Sequence, residues 1–122
     1  MSGALEKSLA ILEYLVSHPD GVPLTTIAGD LNQLRRGFHR TLREHTTLTE
    51  LIPYGYVRQM PKPGDYALTT KLASMGMSFL SKSGVVDIAQ PMLNRLAQAT
   101  EELVRLAIVD GERLTLVAKA QG

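Results

Sequence analysis

The chain has 122 residues, a net charge of +1 from thirteen basic against twelve acidic side chains, and no cysteine. That length suits one compact domain or a small domain with an appendage, and the absence of cysteine excludes disulfides, thiolate metal sites and a cysteine nucleophile together. No apolar run approaches the roughly 20 residues of a membrane span, and the N-terminus lacks a signal-peptide pattern, so a cytoplasmic location without membrane association is expected.

In chain order, "ALEKSLAILEYLVSH" places Leu5, Leu9, Leu12, Leu15 and Val16 at helical spacings, an amphipathic helix. "PDGVP" stops it. "LTTIAGDL" predicts a short second helix with Thr25 or Thr26 as N-cap and Ile27, Ala28 and Leu31 on its apolar face. "NQ" is expected to be the turn before a third helix, the layout of a helix-turn-helix. That third helix opens on "LRRGFHRTLREH", where Leu34, Phe38 and Leu42 recur every four residues as a buried stripe. At about 100° per residue, Arg36, Arg40 and Arg43 fall roughly opposite, with His39 at the margin.

The charge is concentrated there. Arg35, Arg36, Arg40 and Arg43 stand against Glu44 alone, a local charge of +3 on a body that sums to −2. A solvated helix face accounts for such an island as readily as a surface for nucleic-acid phosphates does. Beyond it, Tyr56–Gln59 and Tyr66–Leu68 alternate around a Pro-Lys-Pro-Gly-Asp turn, a β-hairpin with Lys62 at its tip. Three helices followed by a hairpin is the order of a winged helix-turn-helix.

"TTKLASMGMSFLSKSG" predicts a further helix capped by Thr69 or Thr70, with Leu72, Met75, Phe79 and Leu80 along one side. That side is either core or a surface shared with a second subunit. "VVDIAQPMLNRLAQATEE" predicts another, with Ile88, Met92, Leu96 and Ala99 in register and Pro91 in its first turns, where proline is tolerated. "VRLAIVDGERLTLVAKAQG" reads as two strands joined at Asp110-Gly111.

The phrases "ALEKSLAILEYL", "LTTIAGDLN", "HRTL", "YGYVRQ", "GDYALTTKLASMG", "DIAQPMLNRLAQATEE" and "VRLAIVDGERLTLVAKAQG", in this order, resemble the isocitrate lyase regulator (IclR) family of bacterial transcription factors. The resemblance implies a mainly α chain with small β-hairpins, an α+β fold. It implies a winged helix-turn-helix over 1–69, a linker or dimerisation helix over 70–84, and the start of an effector-binding domain over 85–122. It also implies a repressor that binds double-stranded operator DNA as a homodimer or dimer of dimers. Arg35, Arg36, His39 and Arg40 would reach base edges, while Arg43 and Lys62 would meet phosphates. Thr25 and Thr26, with the N–H groups at their helix's start, would hold another phosphate.

The chain departs from the family in three places. Gln33 to Gly37 replace the usual Leu-Pro-basic-Ser-Thr start of the recognition helix. About six extra residues fall at Arg43 to Leu48, and the stripe of Leu48, Leu51 and Ile52 is out of phase with that of Leu34, Phe38 and Leu42. With Thr46, Thr47 and Thr49 as weak helix formers, a break near His45 to Thr47 is expected, followed by a short helix ending at Pro53. Family members also run to about twice this length, so small-molecule effector sensing is not carried over.

His39 and His45 are six apart and point different ways, unlike the i, i+4 spacing of helical zinc ligands, and His45 falls near the apolar stripe as a packed histidine or a helix-end cap. No nucleophile stands in a recognisable setting and no Gly-rich loop follows a strand. Neither a metal, a cofactor nor catalysis is expected, so the chain is not read as an enzyme. The alternative to DNA binding is an interaction module that dimerises with full-length relatives through residues 70–84 and 86–100 and binds DNA weakly or not at all.

Overall fold

The computed structural model describes residues 3–35, 41–61 and 64–122, with the backbone alone over 32–35 and 41–43. The described residues form five helices and two hairpins in the expected order: α1 (Ala4–Val16), α2 (Leu24–Arg35), α3 (Thr41–Leu51), β1 (Val57–Gln59), β2 (Tyr66–Leu68), α4 (Lys71–Ser83), α5 (Val85–Thr100), β3 (Leu103–Asp110) and β4 (Arg113–Gln121). The fold is α+β, as expected. The chain forms two compact units, Met1–Leu72 and Ala73–Gly122.

In the first unit, α1 and α2 both pack on α3 around Ile11, Leu15, Ile27, Leu31, Leu48 and Leu51. Burying each of the largest of these side chains contributes roughly 1.5–3 kcal/mol. The core face of α1 is Ile11 and Leu15, with Leu12 half-buried. Leu5, Leu9 and Val16, expected on that face, are exposed instead. The helix is apolar on more than one side, and its periodicity alone did not choose between them.

Three further expectations are corrected. The "NQ" turn is helical, because α2 continues to Arg35. Thr25 and Thr26 do not cap α2: they are its second and third residues, and the Pro23 carbonyl accepts from the N–H groups of Thr26 and Ile27 at 3.1 Å each. The break near His45 to Thr47 does not occur, and no separate helix reaches Pro53, since α3 runs unbroken to Leu51. Glu44, Thr47, Leu48 and Leu51 are buried at i, i+3, i+4 and i+7, so tertiary packing outweighs the weak helix propensity of threonine. Thr49 Oγ1 donates to the His45 carbonyl at 2.8 Å, which satisfies that hydroxyl inside the helix.

The wing is the expected hairpin, with Val57 opposite Leu68 and Gln59 opposite Tyr66. A third strand segment was not foreseen: Val22 and Tyr66 exchange two backbone hydrogen bonds, at 3.0 and 2.9 Å. They tie the α1–α2 connection to the wing.

In the second unit, α5 packs on the β3–β4 hairpin through Leu93 and Ala97. The stripe Ile88, Met92 and Leu96, expected as an apolar face in register, is in register but exposed. Pro91 lies beyond the first turn, inside α5. The two-residue loop is Gly111-Glu112, one residue later than expected, with Asp110 paired to Arg113 and Gly111 at φ +58°. Thr69 Oγ1 accepts from the Lys71 N–H at 3.2 Å, the cap expected for α4. Met75 and Phe79 on that helix are exposed, so they are not core.

Candidate nucleic-acid interface

The residues expected to meet DNA fall on α2, on α3, between them and on the hairpin β1–β2. Thr25 and Thr26 stand in the first turn of α2, both exposed, at the end where backbone N–H groups lack intrahelical partners and the helix dipole is positive. Arg35 is the last residue of α2, and Arg43 is the third residue of α3. Arg36, His39, Arg40 and Lys62 lie outside the described residues, as does Phe38.

Of the four arginines, the two whose backbone is described stand on two elements, Arg35 on α2 and Arg43 on α3. Leu34 likewise belongs to α2 and Leu42 to α3, and the expected stripe joining them passes through Phe38, outside the described residues. Leu31 of α2 and Leu48 of α3 share one core cluster, which two helices packed on each other allow and one straight helix of 1.5 Å per residue does not.

The outward face of α3 is set by its buried one. His45, Thr46, Thr49 and Glu50 are exposed. His45 was expected to be packed near the apolar stripe; it is exposed because the stripe that packs is Glu44, Thr47, Leu48 and Leu51. Leu48 and Leu51 are recognisable in the sequence as a stripe, but their phase places them on a separate helix there, which hides the face opposite them.

On the wing, Arg58 is exposed and its Nη1 donates to Met60 Sδ at 3.1 Å. It is a cation the sequence reading passed over, and its outward position beside the buried Val57 follows from strand alternation. The loop beyond it is closed by the Met60 N–H donating to the Asp65 carbonyl at 2.6 Å, and by Gln59 Nε2 donating to the Gly64 carbonyl at 3.0 Å. Where the wing meets α4, Lys71 Nζ donates to the Tyr54 carbonyl at 2.6 Å and sits 4.5 Å from the centre of the Tyr56 ring. Thr69 Oγ1 donates to the Gly55 carbonyl in the same joint.

Behind the interface, Tyr14 of α1 donates its hydroxyl to Asp30 Oδ2 of α2 at 2.5 Å and stacks on His18 with ring centres 4.3 Å apart. Burial, and then the Asp30 carboxylate that holds its proton, push the Tyr14 phenol well above its ordinary range. Among the described residues no three His, Asp or Glu side chains come together as a metal site, and no helix is long and apolar enough to cross a membrane.

No family model matches the sequence. The DNA-binding transcriptional repressor YiaJ of Escherichia coli is 30% identical over 120 residues, which are 98% of this chain and 40% of that protein. The transcriptional repressor IclR of Escherichia coli is 29% identical over 107 residues, 88% of this chain and 37% of its own length. Among solved structures, an IclR family transcriptional regulator from Brucella abortus superposes with a TM-score of 0.80 at 21% identity, over 100% of this chain and 44% of that one. The chain thus spans about two fifths of the length of the curated relatives it matches. Both of these relatives are transcriptional repressors.

Proposed function

Because the chain belongs to the IclR family of transcriptional regulators, we propose that it is a cytoplasmic, sequence-specific DNA-binding regulator, acting as a repressor and as a homodimer or dimer of dimers. The observation that carries this reading is the layout of the first unit: three helices around one core, then a wing whose strand β2 also pairs with Val22. Arg35, Arg36, His39, Arg40 and Arg43 supply cations at the end of α2, the start of α3 and between them. Lys62 and Arg58 do so on the wing. Thr25 and Thr26 present the N-terminus of α2 to a phosphate.

Titration of the full chain by fluorescence anisotropy, on the duplex upstream of its own gene, tests the reading. Specific binding is expected, with log K falling nearly linearly in log salt. Lys62→Ala should weaken binding to all sequences alike. No binding at any salt concentration would overturn the proposal.

One observation favours a second reading. Met75 and Phe79 on α4 and Ile88, Met92 and Leu96 on α5 are all exposed, as an interaction module that dimerises with full-length relatives would require. A chain that binds no duplex, yet forms a heterodimer with a purified full-length relative, would establish that reading instead.

A further inference from the structure

We infer that sequence is read by the outward face of α3, by His45, Thr49 and Thr46, and that the arginines that precede this face in the chain serve the phosphates. This rests on the DNA-binding reading above.

The buried stripe of Glu44, Thr47, Leu48 and Leu51 fixes the rotation of α3. At about 100° per residue, His45, Thr46 and Thr49 span an arc of roughly 100° on the side away from that stripe, with Glu50 at its margin. The major groove is about 12 Å wide and 8.5 Å deep, so a helix roughly 10–12 Å across enters it with its outward midline on the base edges. Threonine is short enough to let the helix axis approach the floor of the groove. Imidazole donates to or accepts from guanine and adenine edges according to its tautomer.

Thr49 is already set for this role. Its hydroxyl hydrogen is committed to the His45 carbonyl at 2.8 Å. Oγ1 is therefore offered outward as an acceptor, which pairs with the exocyclic amine of adenine or cytosine, while the methyl group packs on a thymine methyl. Arg35 and Arg43 stand instead at the end of α2 and in the first turn of α3. Together with Arg36 and Arg40 they carry four positive charges, a local +3 once Glu44 is counted, complementary to a phosphate strand.

The test begins with the full chain and a randomised 20-base-pair duplex library. The selected duplex and its single-base-pair variants are then titrated at several salt concentrations. His45→Ala and Thr49→Val should each cut the preference at one or two base pairs by about 5-fold to 100-fold, without changing the slope of log K against log salt. Thr49→Ser should keep the preference that depends on the hydroxyl. Arg36→Ala and Arg40→Ala should each lower that slope by about one and leave the preference intact. Both α3 side chains are exposed, so an unchanged melting temperature confirms that the variants fold.

The assignment is overturned if His45→Ala and Thr49→Val leave the preferred sequence unaltered while the arginine variants erase it. A wild-type chain that selects no sequence and binds no duplex overturns the regulator reading and this assignment with it.

Discussion

Tyr14 shows how one polar contact ties α1 to α2. Its ring stacks on His18 of the same helix end, and its hydroxyl reaches across to the Asp30 carboxylate on α2. A hydrogen bond to a charged acceptor in a partly buried setting contributes about 1.5–3 kcal/mol. Tyr14→Phe keeps the ring and removes that bond, so urea denaturation should show a loss of about 1–2 kcal/mol with an unchanged m value. The contact also predicts a pH dependence. Because the folded state holds the phenol's proton more tightly than the unfolded chain does, stability from this pair is complete below about pH 10, the ordinary phenol value, and is lost as the pH rises beyond it. Wild type should therefore lose its advantage over Tyr14→Phe above about pH 10 and keep it at pH 8. A constant difference across that range would contradict the assignment.

At the scale of elements, the order of helices and hairpins is legible in the sequence, and the departures lie in where α2 and α3 begin and end and in the unforeseen segment at Val22. Two signals misled. Asn32-Gln33 looks like a turn in composition, yet α2 runs through it. The threonines of α3 look like a break, but their neighbours bury one stripe, and Leu48 is fully buried at its centre. Propensity is worth tenths of a kcal/mol per residue, while a buried leucine is worth a few. Leu48→Ala should cost about 2–5 kcal/mol in a denaturant titration, and a loss below 1 kcal/mol would show that α3 is held some other way. The Val22–Tyr66 pairing was illegible for a different reason, since one residue between Gly21 and Pro23 carries no alternation to read. Gly21 makes that pairing possible. Its φ is +99°, and a Cβ there would lie 3.3 Å from both Asp65 Cβ and Met60 Cε. Gly21→Ala should therefore destabilise the first unit by about 1 kcal/mol or more, read as a lowered melting temperature.

At the scale of the whole molecule, the second unit poses a problem that a partner would solve. Leu93 and Ala97 are its buried apolar residues among those described, whereas Phe79 is 70% and Ile88 75% exposed. A two-stranded sheet is all edge, and a hairpin resting on one helix is marginal in water. A second copy of the chain covering α4 and α5 would remove that apolar surface from water, and it would also bring two winged helices to one duplex, where half-sites lie about 34 Å apart. Sedimentation equilibrium should then give twice the mass of one chain, with a melting temperature that rises with protein concentration. Phe79→Glu places a charge on the exposed side of α4 without disturbing a buried contact, so it should yield monomers and cost affinity for a two-half-site duplex more than for a single half-site. If Phe79→Glu leaves the mass unchanged, α4 is not the dimer surface. If the wild-type chain is monomeric at tens of micromolar or more, the apolar stripes of α4 and α5 serve something other than self-association.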